Sequence, residues 1–181
     1  MSVREFLIKY LMPRVDWKRV LRFLLYLFVC LLVQTMLLSR FRIGGVCPYA
    51  LPAVAVAVGM FEGPVWGVLY SLLLGYFADM AFVENTVLFT VLFPALAFMT
   101  GFVSRFFINR RFFAFMGAAL GGLLLTALGQ MLHTSTMDGF AAAMIPTAVL
   151  QTLWSLPLAA LAYVFPARWS LYAPASKGEK T

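Results

Sequence analysis

Apolar residues fall into six runs along the chain, at about 20–38, 46–61, 65–83, 86–103, 112–132 and 144–165. A bilayer core about 30 Å thick calls for roughly 20 apolar residues per helix. Five of the runs approach that length. The second is shorter and carries Pro48 and Pro52 near its start. The pattern predicts an all-α protein, a polytopic bundle of about six transmembrane helices. Ahead of the first run, Val3, Phe6, Leu7, Tyr10 and Leu11 recur at helical spacing, with Arg4 and Lys9 off that stripe and Pro13 ending it. This segment reads as a short amphipathic helix on the cytoplasmic membrane surface, with docking on a cytoplasmic partner as the alternative. The organisation is then a cytoplasmic segment (1–19), a six-span membrane domain (20–166) and a cytoplasmic tail (167–181).

The stretch around which the chain is expected to organise runs from Gly59 to Asp79. Small residues recur there every fourth position, at Gly59, Gly63, Gly67, Ser71 and Gly75, and Asp79 takes the next step. Residues four apart lie nearly above one another on a helix. Small side chains let membrane helices approach closely, and such contacts drive helix association where lipid is as apolar as leucine. Two uses of this face stand: packing against the chain's own neighbouring helix, or receiving a partner helix. Glu62-Gly63-Pro64 reads as a tight turn, with Pro64 opening the third helix. From Val65 to Asp79 is roughly 21 Å of helix, which places Asp79 just inside the outer interface. Its carboxylate is either solvated there or functional.

The fifth run repeats the small-residue logic. Ala114, Ala118, Gly122 and Thr126 are four apart, and Gly117 and Gly121 form a second pair. The expectation is that the fifth helix packs closely against the third. Gln130 and His133 sit at its outer end, followed by a turn signal at Asp138-Gly139. The internal prolines Pro94, Pro146 and Pro157 are tolerated where neighbouring helices satisfy the freed carbonyls, which favours a packed bundle.

Charge sets the orientation. With six spans and a cytoplasmic N-terminus, twelve of the fourteen basic residues fall inside, and only Arg40 and Arg42 fall outside. Both termini are therefore expected in the cytoplasm. The first run ends in Ser39-Arg40-Phe41-Arg42 rather than a small-residue cleavage site, so it reads as a retained anchor. Composition agrees: 63% of residues are hydrophobic and 12% charged, against roughly 25% charged in soluble domains. The net charge of +7 meets anionic lipid rather than nucleic acid, because no aromatic-and-basic face accompanies it.

The chain shows little that carries chemistry. There is no zinc-protease pattern, phosphate-binding glycine loop, nucleophile elbow or Cys-x-x-Cys. The two cysteines, Cys30 and Cys47, imply neither a disulfide framework nor a metal site. His133 is the only histidine. Within the runs the polar residues are Gln34, Thr126, Gln130, Gln151 and Ser155. They read either as interhelical hydrogen-bonding groups or as the lining of a substrate cavity. Among them Gln130 and Gln151, with Asp79, are the candidate functional groups. No catalytic residue, cofactor or metal is expected.

The region from Pro48 to Arg111 resembles the MreD family of rod shape-determining membrane proteins. The matching pieces are Pro48 opening the second run, the segment LPAVAVAVGMFEG, the segment GVLYSLLLGYFADMAF with Gly75 and Asp79, and the basic Asn109-Arg110-Arg111 connection. The chain departs from the family pattern at Tyr49, where Asp or Asn is common, and at Val83-Glu84-Asn85 in place of a Ser/Gly-rich turn. The resemblance implies a non-enzymatic scaffold of the bacterial cell-elongation machinery in the cytoplasmic membrane. It would work with an MreC-type protein and, directly or indirectly, with MreB, RodA and a class B penicillin-binding protein. The MreD-like fold is also similar to the substrate-binding subunits of energy-coupling-factor vitamin transporters, which is the alternative function. Against that alternative, the first run is bulky throughout, whereas such subunits dock through small-xxx-small pairs on their first helix. A lipid-modifying or lipid-flipping protein using Asp79 is a third reading.

Overall fold

The six runs form six helices in the computed structural model, which describes residues 17–38, 40, 46–82, 87–106, 112–139, 141 and 143–169. The first is α1 (Trp17–Leu32), continued by a π-helical segment (Val33–Leu38). The others are α2 (Leu51–Glu62), α3 (Pro64–Phe82), α4 (Leu88–Phe106), α5 (Phe112–Asp138) and α6 (Met144–Trp169). No β-strand occurs among the described residues. Four segments are long and apolar enough to cross a membrane: Val20–Leu38, Pro64–Ala81, Phe112–Met137 and Met144–Val164. The chain is a multi-pass membrane protein. The amphipathic segment expected before residue 17, the tail after residue 169 and the Asn109-Arg110-Arg111 connection lie outside the described residues.

The organising element is α2 rather than the stretch from Gly59 to Asp79. All twelve residues of α2 are buried, and it packs against each of the other five helices. Its side chains are apolar on every side, so it has no stripe to favour one neighbour, and a helix of that kind belongs in the interior. Ala53, Ala55 and Ala57 alternate with Val54, Val56 and Val58, all at 3% exposure or less. Enclosure also explains its length: a helix of twelve residues spans only about 18 Å. Irregular backbone at membrane depth is tolerated where protein, not lipid, surrounds it.

The remaining helices wrap this hub. α3 and α4 pack extensively on each other, as do α5 and α6. The expected close packing of the fifth helix against the third is not found. α5 packs on α2 and α6 and has no substantial contact with α3, because α2 occupies the space between them. At the end of α2 where the chain turns back, Tyr163 meets the rings of Phe61, Phe112 and Phe115 with centroids 5.2–5.4 Å apart. α1 is held to α6 by the Tyr26 hydroxyl, which donates to the Ala162 carbonyl oxygen at 3.0 Å. The outer walls carry large exposed apolar side chains such as Leu21, Phe28, Met80, Val91, Phe113 and Leu153. Apolar exposure on this scale marks a surface that faces lipid.

Candidate functional site

The small-residue series is divided between three places. Gly59 lies on α2, where a Cβ would run into the Ala97 carbonyl oxygen and come within 2.7 Å of the Ala97 Cα. Gly67 lies on α3, where a Cβ would stand 2.7 Å from the Gly59 Cα. Gly75 meets α4 at its start, with a Cβ 2.7 Å from the Phe89 carbonyl carbon and 2.8 Å from the Thr90 Cα. Gly63 is not part of any helix face. It caps the end of α2 with φ +89°, and its amide donates to the Gly59 carbonyl oxygen at 3.1 Å. A positive φ there favours glycine, so the four-residue series crosses a turn and changes helix at Gly63. Ser71 is 1% exposed in the same interior. This face is filled by the chain's own helices.

Complementary positions on α4 were not anticipated. A Cβ at Gly101 would stand 2.8 Å from the Gly59 carbonyl oxygen and from the Pro64 nitrogen. Ala97 and Gly101 are four apart, so the signal was present in the sequence. The two sides interlock: Gly59 receives the backbone at Ala97, and Gly101 receives the turn at Pro64.

The glycines of α5 divide as well. Gly122 faces inward, where a Cβ would stand 2.9 Å from a Val56 methyl group. Gly117 and Gly121, four apart on another side of the helix, meet no atom within 4 Å of an added Cβ. Gly117 is exposed and Gly121 half-buried. Phe113, Leu124, Leu125 and Leu128 on the same helix are exposed, so the pair forms a notch in a lipid-facing wall.

Asp79 is neither solvated nor free. It is 8% exposed and takes hold of the first turn of α4. The Phe89 amide donates to Oδ1 at 3.0 Å, and the Thr90 amide and hydroxyl donate to Oδ2 at 2.7 and 2.6 Å. The first amides of a helix have no partner within it, and a negative group there also meets the positive end of the helix dipole. Asp79 therefore caps α4 from the end of α3.

A similar device holds the start of α2. Gln34, on the π-helical segment and 2% exposed, donates from Nε2 to the Pro48 carbonyl oxygen at 2.9 Å. Its Oε1 accepts from the Ala50 amide at 2.9 Å. The Tyr49 amide donates to the Ser155 Oγ at 2.8 Å, and Ser155 donates onward to the Gln151 carbonyl oxygen at 2.6 Å. Side chains from α1 and α6 thus take the place of water for backbone groups that enter the interior. Thr126 is closed on its own helix, donating to the Gly122 carbonyl oxygen at 2.8 Å.

Gln130 and Gln151 are brought together. Both line a cavity of about 590 Å³ between the end of α5 and the start of α6, with Leu88 and Phe89 of α4 and Val46 and Cys47 ahead of α2. His133, Thr134 and Thr147 lie on the same wall. Both glutamines also line a narrow cleft that leads inward to Tyr49, Thr126 and Ser155. Among the described residues no cluster of three or more His, Cys, Asp or Glu side chains is placed to hold a metal ion, and Cys30 and Cys47 form no disulfide.

No protein-family model, curated protein or solved structure matches the chain.

Proposed function

We propose that the chain is a non-catalytic scaffold of the MreD type in the bacterial cytoplasmic membrane, which holds a single-pass partner helix and helps position lateral peptidoglycan synthesis. The observation that supports this reading best is the division of the glycines. Gly59, Gly67, Gly75 and Gly122 are filled from within, and Gly117 and Gly121 are left open on the membrane-facing side. Close approach of small residues is how membrane helices associate, and this pair offers the approach to a helix from outside the chain. The segments that resemble MreD fall largely on α2, α3 and α4, the interlocked part of the bundle. The docking notch lies on α5, beside that part.

The partner is an MreC-type protein with one membrane helix, and through it MreB, RodA and a class B penicillin-binding protein. The test is co-purification from membranes with the Gly117→Leu/Gly121→Leu double variant. The expected outcome is normal insertion and thermal stability, with recovery of the partner reduced about tenfold or more, equivalent to about 1.4 kcal/mol. Undiminished recovery from a folded variant overturns the docking site. Depletion in the host addresses the wider role: rounded cells with displaced lateral wall incorporation are expected, and unchanged shape speaks against it.

A further inference from the structure

We propose that the groove between α1 and α6 holds one acyl chain of an anionic phospholipid, whose headgroup phosphate meets Arg40. The groove lies on α1 and α6 and the docking notch on α5, so this goes beyond the scaffold reading and does not depend on it. The first observation is construction. Among the described residues α1 and α6 share no extensive packing, and the Tyr26 hydroxyl reaches across to the Ala162 carbonyl oxygen at 3.0 Å. A cavity of about 410 Å³ lies between the two helices. Leu51 and Val54 of α2, both buried, form its floor, and Leu25, Val29 and Leu161, all exposed, form its rim. The rim belongs to the walls that face lipid. The groove therefore opens sideways into the bilayer, and a lipid chain is the molecule that meets it there.

The second observation is shape. Leu25, Val29 and Val33 are four apart and stand nearly above one another on α1, and Leu38 closes the row. From Leu25 to Leu38 is roughly 20 Å of helix, whereas one leaflet takes up about 15 Å of the bilayer core. The groove thus follows the helix through the depth of a leaflet, the course that an extended acyl chain takes. Val33 and Leu38 belong to the π-helical segment, and such segments are frequent at functional sites. In this one Gln34 turns inward to Pro48 and Ala50, while Val33 is left to line the groove.

Charge decides the class of lipid. Arg40 is exposed, and its amide donates to the Leu37 carbonyl oxygen at 3.1 Å, in the turn that ends the π-helical segment. It stands two residues beyond Leu38, at most about 7 Å of chain. A guanidinium presents paired donors that match a phosphate. Arg40 is therefore placed where the phosphate lies when a chain of the same lipid fills the groove. A zwitterionic headgroup brings its own cation beside the phosphate and gains less from Arg40 than an anionic one.

The experiment is native mass spectrometry of the full-length protein in a non-ionic detergent, titrated with dioleoyl phosphatidylglycerol or dioleoyl phosphatidylcholine. One phosphatidylglycerol per chain should bind about fivefold more tightly than phosphatidylcholine, the contribution of a single basic residue near a lipid surface. Arg40→Ala should bring the two lipids level and leave phosphatidylcholine binding unchanged. Val29→Trp and Leu161→Trp fill the groove from exposed positions on opposite walls. Each should weaken phosphatidylglycerol binding about tenfold or more at unchanged Tm, and either carries the test should the other fail to fold. The proposal is overturned by equal affinity for the two lipids in the parent, by a preference that survives Arg40→Ala, or by undiminished binding in a folded tryptophan variant. Tighter binding of a long-chain isoprenyl phosphate, or a dimer that the tryptophan variants dissociate, would assign the groove to another occupant and overturn it as well.

Discussion

Two glycine faces in this protein share a spacing and differ in what they touch. On α2 and α3, Gly59, Gly67 and Gly75 are met by the backbone of neighbouring helices, so closely that no side chain has room. On α5, Gly117 and Gly121 are met by nothing. Spacing alone predicts close approach in both places. Only the surrounding packing tells which approach has been made within the chain and which side stays open. The filled face governs folding, and the open face is the one that the proposed partner helix would use without disturbing the fold.

The largest effect should come from the filled face. Gly75→Leu drives a side chain into the Phe89 and Thr90 backbone, which cannot yield as a flexible side chain would. It should cost more than about 4 kcal/mol or prevent folding altogether. Gly59→Leu should do the same against Ala97. Loss of the monodisperse peak in size-exclusion chromatography, or a collapse of Tm, is the expected result. A folded Gly75→Leu variant of near-normal Tm would break the comparison at its stronger end.

Next come the side chains that fasten the ends of the filled region. Asp79→Ala leaves the Phe89 and Thr90 amides and the Thr90 hydroxyl without their acceptor. One buried and one half-buried helix amide left unmatched should cost about 3 kcal/mol. Asp79→Asn keeps the shape and one acceptor oxygen and should cost less than half as much. Equal losses would mean that charge rather than hydrogen bonding dominates at this cap. A lipid-handling role for Asp79 would instead predict that Asp79→Asn abolishes function at unchanged stability. Gln34→Leu removes the partners of Pro48 and Ala50 and should cost about 2 kcal/mol, read from thermal unfolding of the purified protein.

These fastenings show where sequence reading reaches its limit. The helices were legible because length and apolarity are local properties. The start of α3 at Pro64 and the turn at Gly139, with φ +86°, were legible for the same reason. The hub was not. A helix buried on all sides has no periodic stripe, and its short apolar run looks like the weakest span rather than the centre. The Gly59–Asp79 series was legible as two helices joined at Glu62-Gly63-Pro64, but its spacing left open whether its face is filled by the chain itself or by a partner. Asp79 reaches amides ten residues ahead and Ser155 reaches an amide 106 residues back. No local pattern encodes either contact, although the residue types announced that something polar had to be satisfied. Gln130 and Gln151 were identified by being polar in apolar runs, and their meeting in one cavity needed the packing of α5 on α6.

The smallest expected effect on stability carries the most information about function. Gly117→Ala and Gly121→Ala place a methyl group where no atom lies within 4 Å. Substitutions away from close contacts usually stay within about 0.5 kcal/mol, and alanine favours the helix slightly over glycine. Thermal unfolding should therefore hardly distinguish these variants from the parent, in contrast to the same change at Gly75. Association with a partner helix should respond differently, because even a methyl group holds two backbones apart. Recovery of the partner should fall in steps from glycine to alanine to leucine at these two positions while Tm stays level. A graded loss without a change in stability separates docking from folding. A flat response through leucine would make the open notch an ordinary lipid contact, and the scaffold reading would need another face.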